Sequence, residues 1–117
     1  MRLLIVTVSL FLLSIGASAA LAHAFLDHAS PSVGSTVGAA PHEVSLTFTQ
    51  NLEGAFSTIQ VTGPNARVDQ NKPQVSGNTM RVGIRASGVG TYHVHWRALS
   101  VDTHTTQGSF AFHVGAQ

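Results

Sequence analysis

The sequence contains no cysteine among its 117 residues, which excludes disulfide cross-links and thiolate metal ligands. Methionine is almost as scarce, with Met1 and Met80 as the two examples. The fold must therefore be held together by its hydrophobic core. Any metal ion that the protein binds must accept nitrogen or oxygen ligands, or the thioether of a methionine.

Charged side chains are also few, at 9% of the residues, with six Lys and Arg against five Asp and Glu. No stretch concentrates positive charge, which argues against nucleic acid, phosphate or a membrane surface as partner. Histidine is abundant by contrast. All seven histidines lie beyond residue 22, an unusual density beside so few other charged groups.

Long hydrophobic runs are absent except at the start of the chain. Residues 1–22 carry one basic residue, Arg2, then an apolar stretch and a small-residue ending, Ala20-Leu21-Ala22. This order is typical of a secretory signal peptide, and the Ala-x-Ala ending makes an uncleaved anchor the weaker alternative. The sequence predicts an exported single domain, residues 23–117, that begins with His23 and has no stable membrane insertion after cleavage.

The rest of the chain alternates β-branched or aromatic residues with polar ones, and turns rich in Gly, Pro, Asn and Ser interrupt the pattern. This is typical of short strands, and no stretch has sustained helical periodicity. The predicted fold class is all-β, a Greek-key β-sandwich or barrel of about seven strands. The predicted strands are His23–Ala29, Glu43–Thr49, Phe56–Thr62, Arg67–Val75, Thr79–Arg85, Thr91–Ala98 and Ser109–Val114. Alternation points Tyr92, Val94 and Trp96 inward, and His93, His95 and Arg97 outward.

Asp102 and His104 follow one of these strands and are two residues apart. In extended backbone they would share a face, so the carboxylate and the imidazole would converge. An Asp-x-His pair by itself is a weak signal, because most such pairs combine a turn aspartate with a surface histidine. A histidine at the mature N-terminus strengthens it, since the α-amine and Nδ1 of His23 would chelate one ion. With His104 and Asp102 the donor set is three nitrogens and one oxygen, which suits Cu(II). Zinc is the competitor, and a terminal histidine left by chance is the bland alternative.

Several segments of the exported part resemble the CopC-type periplasmic copper-binding proteins. They are the His-x-x-Leu opening at His23, Ser30-Pro31, Val44–Thr49, Gly90–Arg97, Val101–His104 and Gly108–Phe110. The resemblance implies a cupredoxin-like or Ig-like β-sandwich that binds one Cu(II) per chain through His23, Asp102 and His104. It also implies a periplasmic role in copper resistance or homeostasis, with a CopD-like inner-membrane copper transport protein as partner.

Two departures from the family pattern narrow this expectation. Many members have a glutamate near the Cu(II) site where this chain has Gln50, so one negative charge is lost. Some members carry a methionine-rich Cu(I) loop, but the matching stretch here, residues 61–72, contains no methionine. The resemblance is therefore to a Cu(II)-only branch.

The other histidines have simpler interpretations. His28 is interpreted as a loop residue, with a position within reach of the site as the alternative, and His42 and His113 are interpreted as surface residues. His93 and His95 share a strand face; a solvated face is the first interpretation, and a weak second metal site is the alternative.

The leading functional hypothesis is a copper carrier or buffer, not an enzyme. The alternative is a copper mono-oxygenase with a histidine brace, as in lytic polysaccharide monooxygenases. That activity needs long loops and an open coordination position, which this short chain and Asp102 do not favour. A plain adhesive β-sandwich would leave the terminal histidine and the Asp-x-His pair unexplained.

Overall fold

The computed structural model describes residues 24–85 and 87–115. This part of the chain forms strands and a single 3-10 turn at Gly54–Phe56. The strands are β1 (Leu26–Ser30), β2 (Thr36–Val37), β3 (Glu43–Phe48), β4 (Thr58–Thr62), β5 (Asp69–Ser76), β6 (Thr79–Ile84), β7 (Gly90–Leu99) and β8 (Thr105–Val114). None of the described residues belongs to a helix long and apolar enough to cross a membrane.

The strands form two four-stranded sheets, with order β1-β3-β6-β5 in the first and β2-β8-β7-β4 in the second. Neighbours are antiparallel except β2, which pairs in parallel with β8. The all-β sandwich predicted from the alternating pattern is confirmed. The predicted signal peptide and His23 lie outside the described residues.

Most predicted strands differ from the observed ones by one to three residues at an end: β1 starts at Leu26 and not at His23, and β4 starts at Thr58 because Phe56 belongs to the 3-10 turn. Two differences are larger. The last strand begins at Thr105, four residues before the predicted Ser109, because β8 pairs with β7 along its whole length. Its first residues are polar and carry no hydrophobic alternation, so pattern alone missed them. The two-residue β2 was also missed, since it is too short to show any periodicity.

The core lies between the sheets and is built from the predicted inward faces. Val44, Leu46 and Phe48 of β3 are buried, as are Tyr92, Val94 and Trp96 of β7. Phe48 and Trp96 join the two sheets by an edge-to-face contact, with ring centroids 4.9 Å apart. This contact contributes about 0.5–1.5 kcal/mol beyond simple burial.

Tyr92 fixes the loop that precedes β7. Its ring is fully buried and stacks on Phe112, with centroids 5.1 Å apart. Its hydroxyl donates to the Gly88 carbonyl at 2.7 Å and accepts from the Ser87 backbone N–H at 3.2 Å. The phenol is therefore satisfied in the core, and β7 starts from a defined position.

Candidate metal centre

The loop between β7 and β8 carries Asp102 and His104, at one end of the second sheet. Two backbone hydrogen bonds close it, from the Ser100 N–H to the His104 carbonyl at 2.9 Å and from the Thr103 N–H to the Ser100 carbonyl at 2.9 Å. A neighbouring segment holds it from outside, since the Val101 N–H donates to the Asn51 carbonyl at 3.0 Å. The long β7–β8 hairpin thus presents a short, well-anchored loop.

The structure brings Asp102 and His104 together, but not in the extended backbone that the spacing suggested. The segment is a turn in which Thr103 has φ of 76°, in the left-handed region. A turn brings residues two apart in the chain closer together than a strand does. This turn places His104 Nδ1 3.3 Å from Asp102 Oδ2, with the two side chains 55% and 34% exposed. The predicted convergence is present, whereas the predicted reason for it was wrong.

A hydrogen bond from Ser100 orients the Asp102 carboxylate. Ser100 is completely buried, and its hydroxyl donates to Asp102 Oδ1 and contacts the His104 carbonyl at 3.2 Å. The hydrogen bond from Ser100 is the largest of the influences on the pKa of Asp102, which lies below its ordinary value. The His104 backbone N–H and imidazole lower that pKa further. Asp102 is therefore an ionised carboxylate at neutral pH, as a metal ligand must be.

The described chain enters the sandwich beside this loop. Ala24 is fully buried, and its carbonyl accepts a hydrogen bond of 2.6 Å from the hydroxyl of Thr106, two residues after His104. Phe25 continues the pairing, because its N–H donates to Thr49 Oγ1 at 3.0 Å and its carbonyl accepts from the Thr49 N–H at 2.9 Å. Ala24, which directly follows the predicted ligand His23, is thus fixed at the Asp102–His104 end of β8.

Gln50 and Asn51 follow β3 on the same side. Both are exposed, and the bond from Val101 to the Asn51 carbonyl joins their segment to the Asp102 loop. Gln50, the position at which the resemblance implies a glutamate, therefore lies in the segment that is joined to the Asp102 loop. In this chain it supplies a neutral amide and no charge.

Two ligands are too few for a closed site, and residues 24–85 and 87–115 hold no group of three His, Cys, Asp or Glu side chains placed to bind a metal. Nitrogen and carboxylate donors suit Cu(II) or Zn(II). Met80 is completely buried in the core opposite Leu46, so its thioether is not available to this end of the molecule.

The remaining histidines lie elsewhere. His28 is in strand β1, where its Nδ1 lies 3.1 Å from Asp27 Oδ2. This agrees with the predicted strand His23–Ala29, and the interpretation of His28 as a loop residue was wrong. His113 is half-buried, and its Nδ1 lies 3.0 Å from Thr91 Oγ1. It is therefore not the exposed surface residue that was predicted. His42 is exposed as predicted. His93 and His95 lie on the exposed face of β7.

Sequence reasoning missed two residues that build this site, Ser100 and Thr106. Ser100 had a detectable signal, because a serine two residues before an aspartate at the end of a strand is typical of a side-chain hydrogen bond that closes a turn. Thr106 had none, since its partner Ala24 is 82 residues away.

Comparison with known proteins identifies the fold and its relatives. The CopC domain family model matches residues 26–115. Protein YobA of Escherichia coli K12 is 35% identical over 98 residues, covering 80% of this chain and 79% of the relative. Copper resistance protein C of Xanthomonas campestris pv. juglandis is 31% identical, covering 97% and 96%. Copper transport protein CutJ of Bacillus subtilis is 30% identical, covering 80% of this chain but 18% of that protein.

Two solved structures are similar over most of their length. The crystal structure of CopC from Methylosinus trichosporium OB3b has a TM-score of 0.73 and 30% identity, covering 80% of this chain and 94% of that one. The structure of PcoC, a methionine-rich copper resistance protein from Escherichia coli, has a TM-score of 0.69 and 33% identity, covering 80% and 99%.

Proposed function

Since the chain belongs to the CopC family of copper-binding proteins, we propose that it is an exported carrier or buffer that binds one Cu(II) through His23, Asp102 and His104. The observation that carries this proposal is the tight loop that pairs Asp102 with His104 beside Ala24. His23 is bonded directly to Ala24, whose carbonyl Thr106 holds at this end of β8. A ligand at position 23 would therefore complete the pair.

The proposed donor set explains the choice of metal. The α-amine and Nδ1 of His23 close a six-membered chelate ring on one ion, and His104 adds a third nitrogen. The Asp102 carboxylate adds one oxygen and one negative charge. Cu(II) prefers a tetragonal arrangement of nitrogen and oxygen ligands and leads the divalent affinity series, whereas Cu(I) prefers sulfur. Cysteine is absent from the sequence and Met80 is in the core, so the site favours Cu(II).

Export and a transport partner belong to the same proposal. The signal-like segment 1–22 supports a periplasmic location, where signal peptidase would expose the amine of His23. A domain similar to this one occupies part of a longer relative named copper transport protein, CutJ. This supports a CopD-like inner-membrane copper transport protein as the partner of the separate domain.

The comparisons do not favour the mono-oxygenase alternative. The relatives and solved structures named above are copper resistance or copper transport proteins where their names state a role. Asp102 as a third ligand would also occupy a position that oxygen chemistry needs open. A reductant-dependent oxidation assay on polysaccharide would separate the two functions, and we expect no oxidised products.

His104→Ala tests the proposal in protein purified from the exported fraction without an affinity tag. We expect electron paramagnetic resonance to show one nitrogen-rich tetragonal Cu(II) in the unmodified protein and a strongly weakened, altered signal in the variant. His42→Ala is the matched control, because His42 is also exposed but outside the loop. An unchanged spectrum in His104→Ala, or no tightly bound Cu(II) at all, would contradict the ligand set.

A further inference from the structure

The outer face of the second sheet carries a histidine pair that the Asp102 loop does not use. His93 and His95 are both exposed and lie two residues apart on β7, so both imidazoles project from the same face. Strand β7 is central in its sheet, between β4 and β8. Both ladders run past the two histidines without a register shift. The pair therefore stands on rigid backbone and not on a loop.

Their neighbours suit a metal site in which the imidazoles are the main ligands. His95 lies opposite Ser109 on β8 and Gln60 on β4, and His93 lies opposite Ala111 and Thr62. None of these four side chains carries a charge, and both imidazoles are exposed. Gln60 and Thr62 are exposed and present neutral oxygen donors.

Ser109 orients the ring of His95. The His95 Nδ1 and the Ser109 hydroxyl oxygen are 2.9 Å apart. When Nδ1–H donates to this oxygen, the Nε2 lone pair faces outward and can bind a metal. Histidine ligands in proteins almost always have such a partner on the second ring nitrogen, because it sets the tautomer and the ring direction.

Charge on this face sets the strength of binding. Arg97, two residues beyond His95 on the same exposed face, is the nearest full charge along β7, and it repels a cation. The neighbouring positions opposite both histidines carry no carboxylate. Affinity must therefore come from the coordination bonds, and water must fill the remaining positions. This describes an exchangeable site for an ion that binds imidazole strongly.

We propose that His93 and His95 form a second, solvent-exposed site for Cu(II), separate from the Asp102 loop. Imidazole nitrogens suit Cu(II), Ni(II) and Zn(II), and Cu(II) binds such ligands most tightly. From His95 to the end of β7 the strand covers about 13 Å, at roughly 3.3 Å per residue. The two sites are thus too far apart to share one ion. The proposal does not depend on the ligand set at the loop.

Cu(II) titration of the tag-free exported protein in the His104→Ala background tests this site. We expect this variant still to bind a second, weaker equivalent of Cu(II), the ion at His93 and His95. Its electron paramagnetic resonance spectrum should show imidazole nitrogen couplings. In nuclear magnetic resonance spectra, Cu(II) should broaden the amide signals of β7 around His93 and His95 first. Adding His93→Ala or His95→Ala should abolish this equivalent and the broadening. Both side chains are exposed, so the variants should fold, and far-ultraviolet circular dichroism checks that they do.

His42→Ala is the matched control, since His42 is also exposed but directly precedes β3, which belongs to the other sheet. It should leave the second equivalent unchanged. Retention of that equivalent in both the His93 and His95 variants would overturn the proposal. Broadening centred on another histidine would overturn it as well. Loss of only the tight equivalent in His104→Ala supports the loop site independently, so the two sites are tested separately.

Discussion

Ser100 shows how one buried hydroxyl prepares a ligand on the surface. Its side chain is completely buried, yet it contacts the one carboxylate in the candidate centre. The same residue closes the loop through its backbone N–H. Ser100 therefore connects the packing of the core to the charge and direction of Asp102.

Ser100→Ala should weaken Cu(II) binding about 10- to 100-fold, the usual effect of removing a partner that orients a metal ligand. Asp102 would lose its largest stabilising hydrogen bond, so its pKa should rise towards the ordinary value. Isothermal titration with Cu(II) measures the affinity, and urea unfolding measures stability.

Ser57→Ala is the control, because it also removes a buried, hydrogen-bonded hydroxyl, but one whose partners are Glu53 and Leu99 and not Asp102. Ser57 is 3% exposed and also bridges two segments: it donates to the Glu53 carbonyl at 2.9 Å and accepts from the Leu99 N–H at 3.0 Å. Both variants should lose about 1 kcal/mol of unfolding free energy. Equal copper affinities in the two variants would show that Ser100 has no role in orienting Asp102.

The sequence predicted the residues of the loop better than its shape. Asp102 and His104 were identified from their spacing, and the structure does bring them together. The turn at Thr103 could not be foreseen, because a positive φ at a threonine is costly and depends on the hydrogen bonds that the Ser100 and Asn51 carbonyls accept from the Thr103 and Val101 N–H groups. Contacts of this kind arise from tertiary structure and leave no local pattern.

Among the elements, the β7–β8 hairpin positions the site, and its packing requires a glycine. Gly108 lies opposite Trp96 across the ladder. A Cβ at this position would lie 2.6 Å from Trp96 Cζ2. Trp96 cannot move aside easily, because it is buried and its ring is held edge-on against Phe48.

Gly108→Ala should therefore destabilise the protein by about 1–3 kcal/mol through overpacking. It should also change the near-ultraviolet circular dichroism of the single tryptophan. Gly38→Ala is the control, since a Cβ there meets nothing within 4 Å. Thermal unfolding of the two variants makes the comparison, and equal midpoints would show that the Trp96 ring accommodates the methyl group.

Strand positions were predicted where hydrophobic alternation is strong, as in β3 and β7. Boundaries failed where pairing, not pattern, defines the strand. The first four residues of β8 are Thr105, Thr106, Gln107 and Gly108, and they are strand because β7 continues opposite them. Sequence alone has no signal for such a register.

At the scale of the whole molecule, noncovalent contacts must join the two sheets, since there is no disulfide. Asp69 of β5, in the first sheet, makes one such connection. Its Oδ1 accepts from the Val61 N–H of β4, in the second sheet, at 2.9 Å. Arg67 donates to the same carboxylate through Nε at 3.0 Å and Nη2 at 2.6 Å.

This connection makes stability depend on pH in the acid range. Burial raises the pKa of Asp69, but the hydrogen bonds from Arg67 and Val61 outweigh it, so the pKa in the folded protein is lowered. The stabilisation is complete above the unfolded pKa, about 3.9, and is lost as pH falls through the lower folded value. Asp69→Asn should cost about 1–2 kcal/mol at pH 7 and reduce the loss of stability between pH 5 and pH 2.

Urea unfolding at a series of pH values measures this effect, with Asp27→Asn as the control. Asp27 is exposed, and its Oδ2 lies 3.1 Å from Nδ1 of the neighbouring His28, so this contact does not join the sheets. If Asp69→Asn lost stability on acidification as steeply as the unmodified protein, the acid sensitivity would have to come from other carboxylates.

At the start of the processed chain, the α-amine of His23 is a proposed Cu(II) donor that any preceding residue would convert to an amide. If the α-amine of His23 is a Cu(II) ligand, one extra residue before His23 should remove most of the Cu(II) affinity while the fold is retained. An amide nitrogen is a poor donor unless it is deprotonated, and the added residue would crowd the chelate ring. The fold should be unaffected because Ala24 and Phe25 make their own contacts with Thr106 and Thr49. Copper loading would then be confined to the exported, processed protein.

Titration with Cu(II) of three forms decides the point: the processed protein, the form with one added residue before His23, and a control with one added residue after Gln117. Only the second should lose affinity. Ascorbate added to the copper-loaded processed protein should release the metal, because Cu(I) prefers sulfur ligands and the Met80 thioether is buried. Undiminished Cu(II) binding with the added residue would remove the amine from the site. Tight retention after reduction would instead require histidine ligands for Cu(I), and the exposed His93 and His95 would be the first residues to substitute.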